Sequence, residues 1–408
     1  MTRSDIRAAG RLVSALAVLP VLVAGGCAGT KAPTEIPSGP HPVIVLAIEG
    51  LRADRLGAYG AAGRETPNLD ALARESVVFA WAFAQAPEAA PSLASLLTGL
   101  YPGTHGVRRT GDRLPGEART LAELLSASGH ETAAFVDGEG LTADLGFAQG
   151  FATFEARGGA GLAETGARAI GWMRERAGGD FLLLVAVGAP ARGGTGYGGA
   201  VAAADRFLGE FRKAFGEAGL ENRATLVVLA PCGADLGEHG AGEGPPLHAT
   251  VTRVPLLVRF PGAVRAGRVG EYVEIVDVPA MLLDVSGEPV PVHLHGRSPL
   301  PLIREEGKPP YAAFGESPHR GGQQFVALGG YRLIRSLEDG RDEVYHLAED
   351  PLEERDVAVE ERRRTEALAG HLAAWSRLVA SSSLDPEKPP APLDDTTLEK
   401  LKSLGYVQ

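Results

Sequence analysis

Val43 to Gly60 reads VIVLAIEGLRADRLGAYG, and its first seven residues are apolar up to a single carboxylate, Glu49. A continuous apolar run rich in β-branched residues has no polar face to offer water, so it predicts a strand buried on both sides. Similar short runs stand at Val77–Phe83, Thr132–Val136, Phe181–Val187, Thr225–Ala230 and Val254–Phe260. Helical patterns lie between them at Pro67–Glu75, Pro91–Thr98, Thr120–Ser128, Ala163–Arg176 and Ala200–Ala218. Strands that alternate with helices need crossover connections, which predicts an α/β fold: a large, mostly parallel sheet sandwiched by helices. Ligands of such sheets bind beyond the carboxyl ends of the strands, so the loops after Ile48, Ala84 and Ala230 are expected to form the site.

Outward from this core the texture changes. Beyond about residue 305, Tyr311–Phe314, Gln324–Leu328, Tyr331–Ser336 and Glu343–Leu347 read as short strands with Gly turns, the style of a small antiparallel sheet. Glu360–Val379 then reads as an amphipathic helix, followed by a Pro-rich linker at Ser381–Pro392 and a short helix at Asp395–Leu404. The expected organisation is an α/β domain over 43–304, a β subdomain over 305–357 and a helical tail over 358–408. With 44% hydrophobic and 22% charged residues the chain has the composition of a globular protein. Its net charge of −11, without a basic excess, argues against nucleic acid as a partner. Two cysteines, Cys27 and Cys232, cannot make a disulfide framework.

The amino-terminal segment reads as an address. Arg3, Arg7 and Arg11 precede a largely apolar run from Leu12 to Ala24, and Gly25-Gly26-Cys27 follows. That run is too short for a bilayer span of about 20 residues, and the pattern is that of a secretory signal over 1–26. Small residues before a cysteine resemble a bacterial lipoprotein signal, which implies lipidation at Cys27, export, and a membrane anchor on the periplasmic or outer face. Ala24 stands where lipoproteins prefer Leu, and an ordinary cleaved signal is the alternative. Cleavage takes away three arginines and one aspartate, leaving 37 basic against 50 acidic side chains. Residues 27–42, Pro-rich and polar, read as a flexible tether.

Several blocks then resemble the sulfatase family, within the alkaline-phosphatase superfamily. They are Ile48–Gly60, Thr66-Pro67-Asn68-Leu69-Asp70, Pro91–Pro102, Thr104-His105-Gly106-Val107, Leu236-Gly237-Glu238-His239-Gly240, Arg253-Val254-Pro255-Leu256, His295-Gly296-Arg297-Ser298 and Tyr345–Pro351. Their order and spacing are kept over roughly residues 43–357, and Leu404-Gly405-Tyr406-Val407 is usual in secreted members. The resemblance implies a divalent cation (Ca, Mg, Mn or Zn) at the strand ends, held by carboxylates and an imidazole. It also implies a nucleophile at a helix start, either a cysteine converted to formylglycine or, in phosphotransferase relatives, Thr or Ser.

Residue by residue, the chemistry departs from that pattern. The nucleophile position carries Ala89, and Leu93 replaces the usual Arg; a methyl group cannot attack or ligate. Ser92 is the only hydroxyl close by. Glu49 takes the place of the first metal-binding Asp and is an oxygen donor suited to a hard cation, while Gly50 supplies nothing. The Asp-His pair expected before the Leu-Gly-Glu-His-Gly block falls, in the register that loses one residue, on Cys232 and Gly233; Asp235 matches the following Glu. A thiolate is a poor partner for a hard cation. In the loop after Val187 the substrate-contacting His is missing, leaving Arg192 as an anion-binding candidate; His105 is a further substrate-binding candidate. His239 also matches a family position, His248 stands five residues ahead of Arg253, and His293 and His295 would share one face of a strand.

These departures lead to the expectation of a catalytically degenerate pseudoenzyme that binds an anionic glycan or lipid head group, or scaffolds. The alternative is an active metal-dependent sulfuric- or phosphate-ester hydrolase or phosphotransferase using Glu49, Asp235 and Ser92 in a rearranged site. A paralogue with no ligand is the third reading.

Overall fold

A computed structural model describes residues 36–61, 66–188, 196–240, 244–262, 266–306, 311–384 and 393–406. The segment read as a signal, Cys27, most of the expected tether, Arg192 and residues 385–392 of the Pro-rich linker lie outside the described residues. Nine strands form the main sheet: β1 Val43–Glu49, β2 Val77–Phe83, β3 Glu131–Asp137, β4 Thr153–Ala156, β5 Phe181–Gly188, β6 Thr225–Leu229, β7 Arg253–Val254, β8 Leu256–Arg259 and β9 Gly267–Glu274. They run in the order β4-β3-β5-β1-β6-β8-β2-β7, with β9 also paired to β2. Pairings of β1 with β5 and β6, of β3 with β4 and β5, and of β2 with β9 are parallel. The sheet is therefore mostly parallel, as the alternating pattern requires. β1 lies between β5 and β6 with Val43–Ile48 fully buried, which is why its sequence carries no alternation.

Where expectation and structure differ, the local chemistry explains the difference. The run Val254–Phe260 is two strands, because Pro255 has no N–H for the ladder and breaks it between β7 and β8. Strand β9 (GRVGEYVE) is not among the runs read from the sequence; its exposed Gly267, Arg268 and Gly270 hide the apolar signal of Val269, Tyr272 and Val273. The helix Val278–Val285 is buried almost all round and so has no amphipathic period to find.

Four further strands, β10 Ala313–Ser317, β11 Gln323–Leu328, β12 Tyr331–Ser336 and β13 Asp342–His346, form the antiparallel sheet in sequence order. Phe83 of β2 packs on Phe325 of β11 (centroids 6.0 Å) and on Tyr272 of β9 (5.5 Å), joining the two sheets. The helix Arg362–Ser381 places Trp375 flat on Phe314 (5.4 Å) and edge-on to Tyr101 (5.2 Å).

At the end of β9 sits Glu274, fully buried. Its Oε1 accepts from Phe314 N (2.8 Å) and Gln85 Nε2 (3.2 Å), and its Oε2 from Tyr101 OH (2.9 Å) and Tyr406 OH (2.7 Å). Both sheets and the carboxyl-terminal segment thus meet on one carboxyl group. Burial, and then the nearby Asp277 charge, raise its pKa to about 8 despite the donors around it. A folded-state pKa above the unfolded one contributes stability that is complete below the ordinary carboxylate range and lost as pH rises toward about 8. Urea unfolding of the wild type should therefore lose stability between about pH 5 and 8, whereas Glu274→Gln, which has no proton to lose, should lose markedly less over the same window; parallel profiles would contradict the assignment.

Candidate functional site

The carboxyl ends of β1, β6 and β2 share one edge of the sheet, because β2 and β6 are each antiparallel to β8 and β6 is parallel to β1. The loops that follow them meet there. Gly50 N, in a residue at φ +85°, donates to Cys232 O (2.9 Å), tying the first loop to the second. The predicted convergence of the loops after Ile48, Ala84 and Ala230 is what the fold produces.

Ala89 opens the helix Ala89–Thr98, partly buried against the main core. Just ahead of it, Glu88 sends its side chain across the cleft rather than onto the helix's own N–H groups. Its Oε1 accepts from Thr110 Oγ1 (3.0 Å) and its Oε2 meets His319 Nε2 (2.7 Å). This carboxylate–imidazole pair was not found from sequence. Glu88 adjoins the motif block and was legible in principle; His319 arrives from the loop after β10, and nothing in the chain's order links it to Glu88.

Cys232 is buried. Desolvation pushes its thiol well above the usual range, and the charges of Glu49 and Glu88 push it further in the same direction. Ionised or not, sulfur is a soft donor and a poor partner for a hard cation. Gly233 donates to Val251 O (2.7 Å), and a Cβ there would lie 2.7 Å from Thr250 O. No imidazole fits at that position: its glycine is required by packing, which disfavours the register that sets it against the family's histidine. Asp235 is exposed and accepts from Gly237 N (3.0 Å), so it shapes its own turn.

The other candidates are engaged elsewhere. Ser92 is fully buried and donates to Ala86 O (3.0 Å), holding the loop into the helix. His105 is fully buried; Val107 N donates to Nδ1 (3.1 Å), which leaves Nε2–H facing Ser95 Oγ (3.0 Å). Burial lowers its pKa to about 3, so it is a neutral structural imidazole. His293 and His295 lie in a loop, not on a strand: His293 is exposed, while His295 is buried and stacked on Tyr101 at 5.2 Å. His239 and His248 stack on each other with ring centroids 3.6 Å apart, and burial drives His248 down to about 2.

Glu49 stands half-buried at the end of β1, where the strand meets the cleft. Among the described residues no group of three His, Cys, Asp or Glu side chains could hold a metal ion. A soft thiol at Cys232 and a glycine at Gly50 beside Glu49 do not make the hard-oxygen set that the divalent cation implied by the resemblance needs.

The frame around this cleft rests on Arg52, fully buried. It pairs with both oxygens of Asp54 (2.9 Å each), with Glu238 Oε1 (2.6 Å) and with Ala234 O (3.2 Å). Burial tends to raise the Glu238 pKa, but the bond from Arg52 reverses this and holds it below the usual range. Arg52→Met keeps most of the volume and leaves two carboxylates facing each other across a cavity. It should cost about 2–4 kcal/mol by denaturant melt, below the figure for breaking a fully buried pair because both carboxylates are partly solvated; an unchanged melt would show that the pair does not hold the loops.

Comparison with known proteins matches this architecture. The family model "Sulfatase" matches residues 41–161, and "N-sulphoglucosamine sulphohydrolase, C-terminal" matches residues 237–375. An ulvan-active sulfatase of Formosa agariphila is 41% identical over 97 residues, 24% of this chain and 19% of that protein. An N-acetylglucosamine-6-O-sulfatase of Bacteroides thetaiotaomicron is 28% identical over 165 residues, 38% of this chain and 30% of that protein. The chain thus matches less than a third of the length of either relative. A protein solved with its substrate D-glucosamine-2-N,6-O-disulfate superposes with a TM-score of 0.73 at 17% identity, over 86% of this chain and 99% of that one. The phosphonate monoester hydrolase of Agrobacterium radiobacter superposes with a TM-score of 0.68 at 19% identity, over 87% and 100%. With two family models in order along one α/β frame, the chain belongs to the sulfatase family of the alkaline-phosphatase superfamily.

Proposed function

We propose that this sulfatase-family chain is an exported, lipid-anchored pseudoenzyme that binds an anionic glycan, or scaffolds, instead of hydrolysing an ester. The observation that carries this reading is Ala89, a methyl group at the helix start to which the resemblance assigns the nucleophile. The rest of the catalytic unit is depleted with it: Cys232 offers a buried sulfur in place of an oxygen donor, and Asp235 turns to its own loop. Loss of one member of such a unit removes most of the rate, and further losses add little. What remains at the helix start is backbone that an anion can meet. The first-turn N–H groups of the helix Ala89–Thr98 suit an anion, and a structural neighbour of the same fold is solved with a sulfated glucosamine as its substrate. The lipoprotein-type signal and Cys27 supply the export and anchoring parts of the proposal.

Aryl sulfates and phosphate mono- and diesters, offered with Ca²⁺, Mg²⁺, Mn²⁺ or Zn²⁺, should turn over no faster with the wild type than with Glu49→Ala. Ala89→Cys and Ala89→Ser should stay at that background too, since a nucleophile alone does not rebuild the unit. Turnover abolished by Glu49→Ala would overturn the proposal in favour of a rearranged hydrolase.

Glu88 places a carboxylate beside the anion-binding helix start, paired with His319. At about 1 kcal/mol for one charge across a solvated cleft, Glu88→Gln should tighten a sulfated oligosaccharide roughly five-fold by calorimetry. A weaker or unchanged affinity would place the glycan elsewhere on the protein.

A further inference from the structure

The end of the main sheet opposite the cleft has an apolar feature that the site does not use. Chain entering β1 passes Gly39, whose N donates to Val285 O (3.1 Å), and Pro42, whose O accepts from Thr225 N at the start of β6 (2.9 Å). The loop 287–293 (GEPVPVH) begins at that same spot: a Cβ on Gly287 would lie 3.1 Å from the Cα of Gly39. The loop holds two exposed valines, Val292 at 104% and Val290 at 38% of full exposure, beside exposed Pro289. Nothing within the described chain covers Val292. Next to the loop, exposed Arg119 lies near enough to His293 to act on its charge, and Glu288 is the loop's only carboxylate.

Position relative to the tether decides what the loop meets. Eight residues, 28–35, separate Cys27 from the first described residue, Ile36. Fully extended they span at most about 30 Å. The point where the tether joins the domain is thus confined to a bilayer's vicinity whenever Cys27 is acylated, and the loop lies beside that point. β1 then runs about 20 Å from there to Glu49, so the cleft opens at the far edge.

We propose that the loop 287–293 seats on the bilayer to which Cys27 tethers the chain, with Val290 and Val292 in the headgroup region and the cleft turned away from the membrane. The proposal rests on the lipid-anchor reading above. A tether of this length keeps the loop at high local concentration near lipid, so two valines and a flanking arginine suffice where they would not hold a free protein.

The test uses the full acylated chain in phosphatidylethanolamine–phosphatidylglycerol vesicles that carry a spin-labelled lipid as quencher. Val292→Cys and Leu236→Cys are each labelled with the environment-sensitive fluorophore NBD; Leu236 is 44% exposed at the cleft edge, and Cys232 is buried away from the reagent. The expected result is a blue-shifted, lipid-quenched emission at 292 and an unquenched, water-like emission at 236. Water-like emission at 292 in vesicle-bound protein, or quenching at 236 instead, overturns the proposed orientation and leaves the anchor standing. A chain that floats no better with vesicles than Cys27→Ala overturns the anchor, and the orientation with it.

Discussion

Glu274 is the constraint on which the rest of the molecule depends. A carboxyl group with no solvent contact needs its polar atoms bonded from within, because an unmet acceptor in the core costs more than a bond contributes. Here the donors come from four places distant in sequence: Gln85 after β2, Tyr101 before a short helix, Phe314 on the second sheet and Tyr406 near the far end of the chain. Satisfying one group therefore fixes the relative placement of both sheets. The aromatic contacts of Phe83, Phe314, Tyr101 and Trp375 fill the space around it.

That arrangement separates what holds the fold from what performs chemistry. Arg52, Asp54 and Glu238 belong to blocks that resemble a sulfatase, and their charges pair with one another while Arg52 and Glu238 also hold the backbone of 234–236. His105 and Ser92 likewise serve the packing of the helix start. A chain keeps such residues for stability whether or not it turns over a substrate. The positions to which the resemblance assigns contact with an ester, Ala89, Gly50 and Cys232, carry little structural obligation beyond their size and backbone geometry.

β1, β2, β3, β5 and β6 were legible because burial writes itself as unbroken apolar runs; the bounds of β1 and β2 match their sequence readings to the residue, whereas the short, half-exposed β4 left no such run. β9 was not, since its edge glycines and arginine interrupt the signal, and neither was the helix Val278–Val285, buried all round. At the cleft, Glu49 and Ala89 could be placed because strand ends and helix starts follow from the element order. The Glu88–His319 pair could not, since it depends on a loop more than 200 residues downstream folding over the helix start. Gly233 misled for a related reason: a glycine demanded by the carbonyl of Thr250 reads in one dimension as a missing ligand.

The bond from Tyr406 to Glu274 spans 132 residues, and that from Tyr406 to Tyr101 spans 305. Contacts so remote along the chain form only after the intervening loop closure, which slows the final step of folding. During synthesis this means timing: Glu274 stays hydrated, and the seam between the sheets stays open, until the segment around residue 406 has left the ribosome.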